Sequence, residues 1–130
     1  MSEKSTSVVD ANAIVALLLG GDRADSERAR AFFKPVREGS SQAFIAAAVL
    51  AECVYVLTRV YKVTRADAAS RLLALLDYRG VSTESGASRR ALELYRDRNV
   101  DFVDALVVAI AQERASQVFS SDRDLARLMK

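Results

Sequence analysis

Twice in this sequence a short β-rich run passes into an apolar helix with almost no loop: "TSVVDANAIVALLLGG" near the start and "SQAFIAAAVLAECVYVL" in the middle. A strand that feeds a helix at once cannot return through a hairpin, so repeated strand–helix units imply a mostly parallel sheet with helices packed on it. The first helix is expected from about Asn12 until Gly20 and Gly21 stop it, and a second from about Ser26 with Pro35 near its last turn. In the middle unit Val49, Cys53, Val56, Leu57 and Val60 recur at helical spacing. Thr64 and Asp67 form a capping-box pattern for a helix closed by Gly80, "VST" is a short strand, and Ser85 to Asp97 is a further helix. The segment "NVDFVDALVVAIAQERA" is helical from about Phe102, apolar on nearly every face and therefore expected to be buried. "SQVFSSDRDLARLMK" is expected as a strand, a brief turn and a closing helix. The predicted architecture is one α/β domain over residues 1–130, with residues 1–6 a flexible N-terminus.

In sheets of this kind, ligands sit beyond the carboxyl ends of the strands. Asp10 ends the first strand, Glu52 follows the second by about two turns, Asp101 and Asp104 open the apolar helix, and Asp122 follows the last run with Asp124 two residues on. Local explanations exist for each. Asp10 can cap the first helix, Glu52 can pair with Arg59 two turns along the same edge, Asp101 and Asp104 can form a capping box, and Ser121 with Asp124 can form another. Asp104 is a short residue for a position that favours Glu or Gln. Four or five acids at one sheet edge would repel one another without a divalent cation between them.

Composition narrows the chemistry further. The chain has no histidine and one cysteine, Cys53. Internal disulfides, Cys/His zinc sites and nucleophiles activated by histidine are excluded, and oxygen donors alone select hard cations such as magnesium or manganese. Of its 19 basic residues only four are Lys (4, 34, 62 and 130), which leaves 15 Arg for a net charge of +2. The planar guanidinium matches phosphate well, although solvated helix faces account for such usage equally. The apolar runs fall short of the roughly 20 residues a membrane helix needs, and no signal-type core follows "MSEKSTS", so no membrane association and a cytoplasmic location are expected.

In order and interval, "VVDANAIVALL", "AAVLAECVYVL", "VDFVDALVVAIA" and "VFSSDRDLARL" resemble the four acidic motifs of the PIN-domain nucleases, especially the VapC-type toxin ribonucleases. The resemblance covers nearly the whole chain. It implies a three-layer α/β/α fold with a mostly parallel sheet of four to five short strands. After Asp122 only eight residues follow, so the last edge strand of many relatives is missing or replaced by helix. By the same resemblance Asp10, Glu52, Asp104 and Asp122 are the catalytic, metal-holding acids. Asn12, Asp101, Ser120 and Asp124 match the polar residues placed beside them. One or two Mg2+ or Mn2+ ions and RNA cleavage to a 5′ phosphate and a 3′ hydroxyl are implied.

Arg123 and Arg59, with Arg89 and Arg90 behind them, are candidates for meeting RNA phosphate; Tyr55 and Phe102 are expected to pack. A small antitoxin partner and a homodimer are also implied. The alternatives are a housekeeping PIN nuclease outside a toxin–antitoxin pair and a PIN-like module that binds RNA or a partner without cutting. A phosphoacceptor receiver domain fits least. It needs paired acids after the first strand, where Ala11 stands, an acceptor Asp after a middle strand, and a late Lys for which only Lys130 is available.

Overall fold

The computed structural model describes residues 6–129. The expected flexible N-terminus lies outside the described residues except for Thr6, which begins β1 (Thr6–Val8). Helix α1 (Ala11–Leu19) follows two residues later, then α2 (Ala24–Glu38), β2 (Gln42–Phe44) and α3 (Ala47–Tyr55). A π-helical turn (Val56–Val60) prolongs α3, and α4 (Arg65–Leu76), β3 (Val81–Ser82), α5 (Ala87–Asp97), α6 (Phe102–Glu113) and α7 (Arg123–Arg127) complete the order. The strands are parallel in the order β1-β2-β3, with Val8 opposite Phe44, and Phe44 opposite Ser82. The α/β class and the parallel sheet agree with the sequence, but the sheet has three strands among the described residues, not four to five.

The missing strand is the run before Asp122. Residues 116–120 form no ladder, Phe119 is fully exposed, and Val8 on the outer strand is 77% exposed. An apolar run becomes a strand only when an edge is brought alongside it, and periodicity carries no information about that partner. Helix α6 also departs from expectation. Phe102, Ala105, Val108, Ala109 and Ala111 are buried, whereas Val103, Val107 and Ile110 remain 57%, 40% and 41% exposed. An all-round apolar pattern leaves open which face meets the core, and here one face meets none.

The core is built from Ile14, Phe33, Ile45, Leu50, Leu57, Leu72, Leu92 and Val108, with α3 touching α1, α4 and α6. Buried Ser26 fastens α2 to the end of α1: its Oγ lies 2.9 Å from the Ala16 carbonyl and 3.0 Å from that of Gly20. Pro35 sits in the last turn of α2, which Gly39 ends in the left-handed region at φ 89°, donating to the carbonyls of Pro35 and Val36. Helix α4 stops at Leu76 rather than running to Gly80. Gly80 instead joins the sheet: its N–H donates to Val36 O and its carbonyl accepts from Ala43 N, each at 2.8 Å. A Cβ there would lie 2.0 Å from the Ser41 carbonyl oxygen, so only glycine allows this approach. Among the described residues no helix is long and apolar enough to cross a membrane.

Candidate active site

Asp10 is the N-cap of α1. Its Oδ1 accepts from the Ala13 N–H at 3.0 Å while the carboxylate stays exposed. Capping and ligation are compatible here, because one oxygen satisfies the orphan amide and the other is left over. Asp122 repeats this arrangement at α7, where its Oδ1 accepts from the Asp124 N–H at 2.9 Å and its own N–H donates to Ser120 Oγ at 2.9 Å. The cap is therefore Asp122, not the Ser121 expected from the sequence. Ser121 and Asp122 are both good cap types, and Asp122, extended at φ -92° and ψ 110°, takes the role.

Asp101 holds the N-cap position of α6 by backbone conformation, yet its side chain makes no capping hydrogen bond. The expected Asp101–Asp104 capping box is not formed. Both carboxylates are left without a hydrogen-bond or ion-pair partner among the described residues, and they line one cavity with Asp122 and Asp124. That cavity is about 440 Å³ and is bounded also by Arg98, Asn99, Val100, Leu125 and Leu128. Asp124 is turned partly aside by Arg127, 3.1 Å away. Residues about 20 apart in sequence are thus brought together by the packing of α7 on α6.

Asp10 and Asn12 line a different cavity, and Glu52 lines neither. Glu52 is exposed on α3 and makes no ion pair with Arg59. An unbroken α-helix would return a residue seven positions on to the same face, but the π turn winds wider and carries Arg59 off that line. The Thr58 hydroxyl accompanies the turn, donating to the Val54 carbonyl at 2.7 Å. Arg59 instead lies over the Tyr55 ring, 5.9 Å from its centroid. Tyr55 is an exposed residue, not the packing residue expected, whereas Phe102 is buried edge-on against Tyr95 as expected. Arg123 opens α7 and is exposed; Arg89 is paired with Asp77 and Arg90 with Glu93.

Asp10 and Glu52 are both within electrostatic range of buried Cys53. Burial, with the Glu52 and Asp10 carboxylates adding to it, pushes this thiol up to about 12, so it is held neutral. Among the described residues no three acidic or thiol side chains stand close enough to hold one ion together. The acids therefore divide in two: Asp101, Asp104, Asp122 and Asp124 line one cavity, while Asp10 and Glu52 lie outside it, within electrostatic range of Cys53.

Two cations escape a reading of the sequence. Arg98 sits on the wall of the acidic cavity three residues before Asp101, a proximity the sequence does display. Arg65, at the start of α4, ties down the turn that leads into α6. Its Nη2 lies 2.9, 3.0 and 2.7 Å from the carbonyls of Tyr95, Arg98 and Val100, and its guanidinium stacks 4.0 Å above the Tyr95 ring. Carbonyl acceptors have no side-chain signature, so spacing could not reveal it.

The family model described as the PIN domain matches residues 7–130 of the chain. No curated protein matches it.

Proposed function

The chain belongs to the PIN-domain family, a family of nucleases, and on that premise we propose that it is a metal-dependent endoribonuclease acting as the toxin of a VapBC-type pair. The observation that carries the reading is the cavity in which Asp101, Asp104, Asp122 and Asp124 meet, because two of these carboxylates, Asp101 and Asp104, have no partner among the described residues that would explain them. Unpaired like charges held together are a cost that a bound cation removes.

The donor set fits a hard cation. Every candidate ligand is a carboxylate oxygen, the chain has no histidine, and Cys53 is kept as a thiol. Asp104 and Asp122, and apart from them Asp10 and Glu52, are the acids that would hold Mg2+ or Mn2+, not as one three-acid cluster among the described residues, and the ion would supply neutralisation of the scissile phosphate and a more acidic water. Asp10 and Asp122 keep their backbone bonds while doing so, which fixes each carboxylate on a helix end. Ser120 anchors the loop beneath Asp122, and Asn12 stands one residue into α1 beside Asp10. Asp101 and Asp124 border the same space and can orient water. Arg123 and Arg59 offer guanidinium groups to the RNA backbone. Partner antitoxin and homodimer follow from the family resemblance as parts of the same proposal, and a cytoplasmic location is proposed with them.

Purified protein incubated with single-stranded RNA should cut it in Mg2+ or Mn2+ and not in EDTA. Cleavage at the wild-type rate by both Asp10→Asn and Asp104→Asn would sink the reading. An upstream reading frame for a small DNA-binding protein separates the toxin from a housekeeping nuclease. The separation of the acids into two groups favours one other reading, a PIN module that binds RNA without cutting. RNA binding with intact RNA recovered at every divalent concentration would select it.

A further inference from the structure

A cavity of about 620 Å³, within the usual range for ligand pockets of roughly 300–1,000 Å³, opens between β1, the first turn of α1 and one face of α2. Asp25, Arg28 and Phe32 follow one another at three- and four-residue steps, so α2 presents them along one side. Asp25 is already satisfied: Arg23 holds it at 2.8 Å, and that hydrogen bond keeps its carboxyl below the usual carboxylate range. Arg28 is exposed and has no ion pair or side-chain hydrogen bond among the described residues, which leaves it as the free cation of this wall. Phe32 is half-buried, braced edge-on by Phe33 at 4.9 Å between centroids, and lines the same space. Asp10 and Asn12 stand on the opposite wall.

We infer that this cavity is a nucleotide subsite for single-stranded RNA, with a base laid on Phe32 and the adjoining phosphate on Arg28, across the cavity from Asp10. The inference rests on the ribonuclease reading and adds to it the place where the strand is gripped. A flat aromatic wall serves any base, whatever its hydrogen-bonding edge, and an unpaired guanidinium serves the phosphate. Stacking on Phe32 takes a base whose face is free of its strand neighbours, so the site suits single strands. Ser26, which fastens α2 to α1, keeps the two walls at a fixed separation.

The test is binding of a fluorescein-labelled RNA hexamer in EDTA, where cleavage cannot intervene. Arg28→Ala should weaken binding on the order of tenfold and lower the slope of log affinity against log salt by about one. Arg28→Lys should recover most of the affinity, since it keeps the charge. Phe32→Leu, which keeps apolar bulk in the core wall, should weaken binding by a similar factor without changing the salt slope. Its thermal unfolding should stay within a few degrees of wild type, and Arg28→Ala alone carries the test if it does not. Wild-type affinity in both Arg28→Ala and Phe32→Leu would overturn the subsite. The two ideas fail separately. RNA cut in Mn2+ with unchanged KM by both variants removes the subsite alone, while Arg28-dependent binding with no cleavage in any divalent ion removes the nuclease reading alone.

Discussion

Asp10 and Asp104 stand at the starts of two apolar helices and are held in opposite ways. Asp10 spends one carboxylate oxygen on the Ala13 amide, whereas Asp104, one turn inside α6, makes no hydrogen bond or ion pair among the described residues. Asp122 belongs with Asp10 and Glu52 with Asp104. The difference separates two roles that look identical in the sequence. A capping acid stabilises the fold whether or not anything binds to it, while an unpartnered acid beside others of its kind only costs stability until a cation arrives.

The largest effect that would break this contrast is on cleavage. Asp104→Asn should lower the rate by on the order of a hundredfold or more while leaving the melting temperature unchanged or slightly higher, since it removes a repelling charge. A large drop in melting temperature would show that Asp104 is structural after all. Next comes Arg65, which governs how the free acids are presented. Arg65→Ala should cost about 2 kcal/mol in urea unfolding through its lost carbonyl bonds and stacking, and should raise the Mn2+ concentration needed for half-maximal binding. Arg65→Lys should restore only part of either, because a point charge cannot span three carbonyls and a ring. Unchanged Mn2+ affinity in a folded Arg65→Ala protein would detach the turn from the site.

At Asp10 the two roles can be taken apart. Asp10→Ala should lose activity and about 1 kcal/mol of stability, while Asp10→Asn, an equally good cap, should lose activity alone. Equal stability losses in both would mean that charge, not capping, matters there. The smallest effect concerns Cys53. Its folded value of about 12 lies above the ordinary thiol value of 9.0, so its contribution to stability is complete below pH 9 and is lost as pH rises toward 12. Relative to Cys53→Ala, wild-type stability should therefore fall more steeply between pH 9 and 11, as read by denaturant midpoints.

What was legible in the sequence was local. Asp10 and Thr64 cap the helices their spacing announced, and the two strand-to-helix passages became β1–α1 and β2–α3. What was not legible depends on partners remote in sequence. The run around Phe119 has the pattern of a strand but pairs with neither edge of the sheet. Arg59 misses Glu52 because helix geometry changes at Val56, and the gathering of Asp104 with Asp122 depends on how α7 settles on α6. The acids themselves could be named from the motifs; their division into two groups could not, since spacing along a chain fixes an element's face but not the distance between elements.

Gly80 has a consequence on a different timescale, that of inherited variation. Any single-base change in a glycine codon that alters the residue installs a Cβ, and at this position a Cβ meets the Ser41 carbonyl oxygen at 2.0 Å. The position has no conservative neighbour in the genetic code. Drift can wear at Phe119 or Val103, whose side chains bear on little, but at Gly80 every first step away forces β3 off β2.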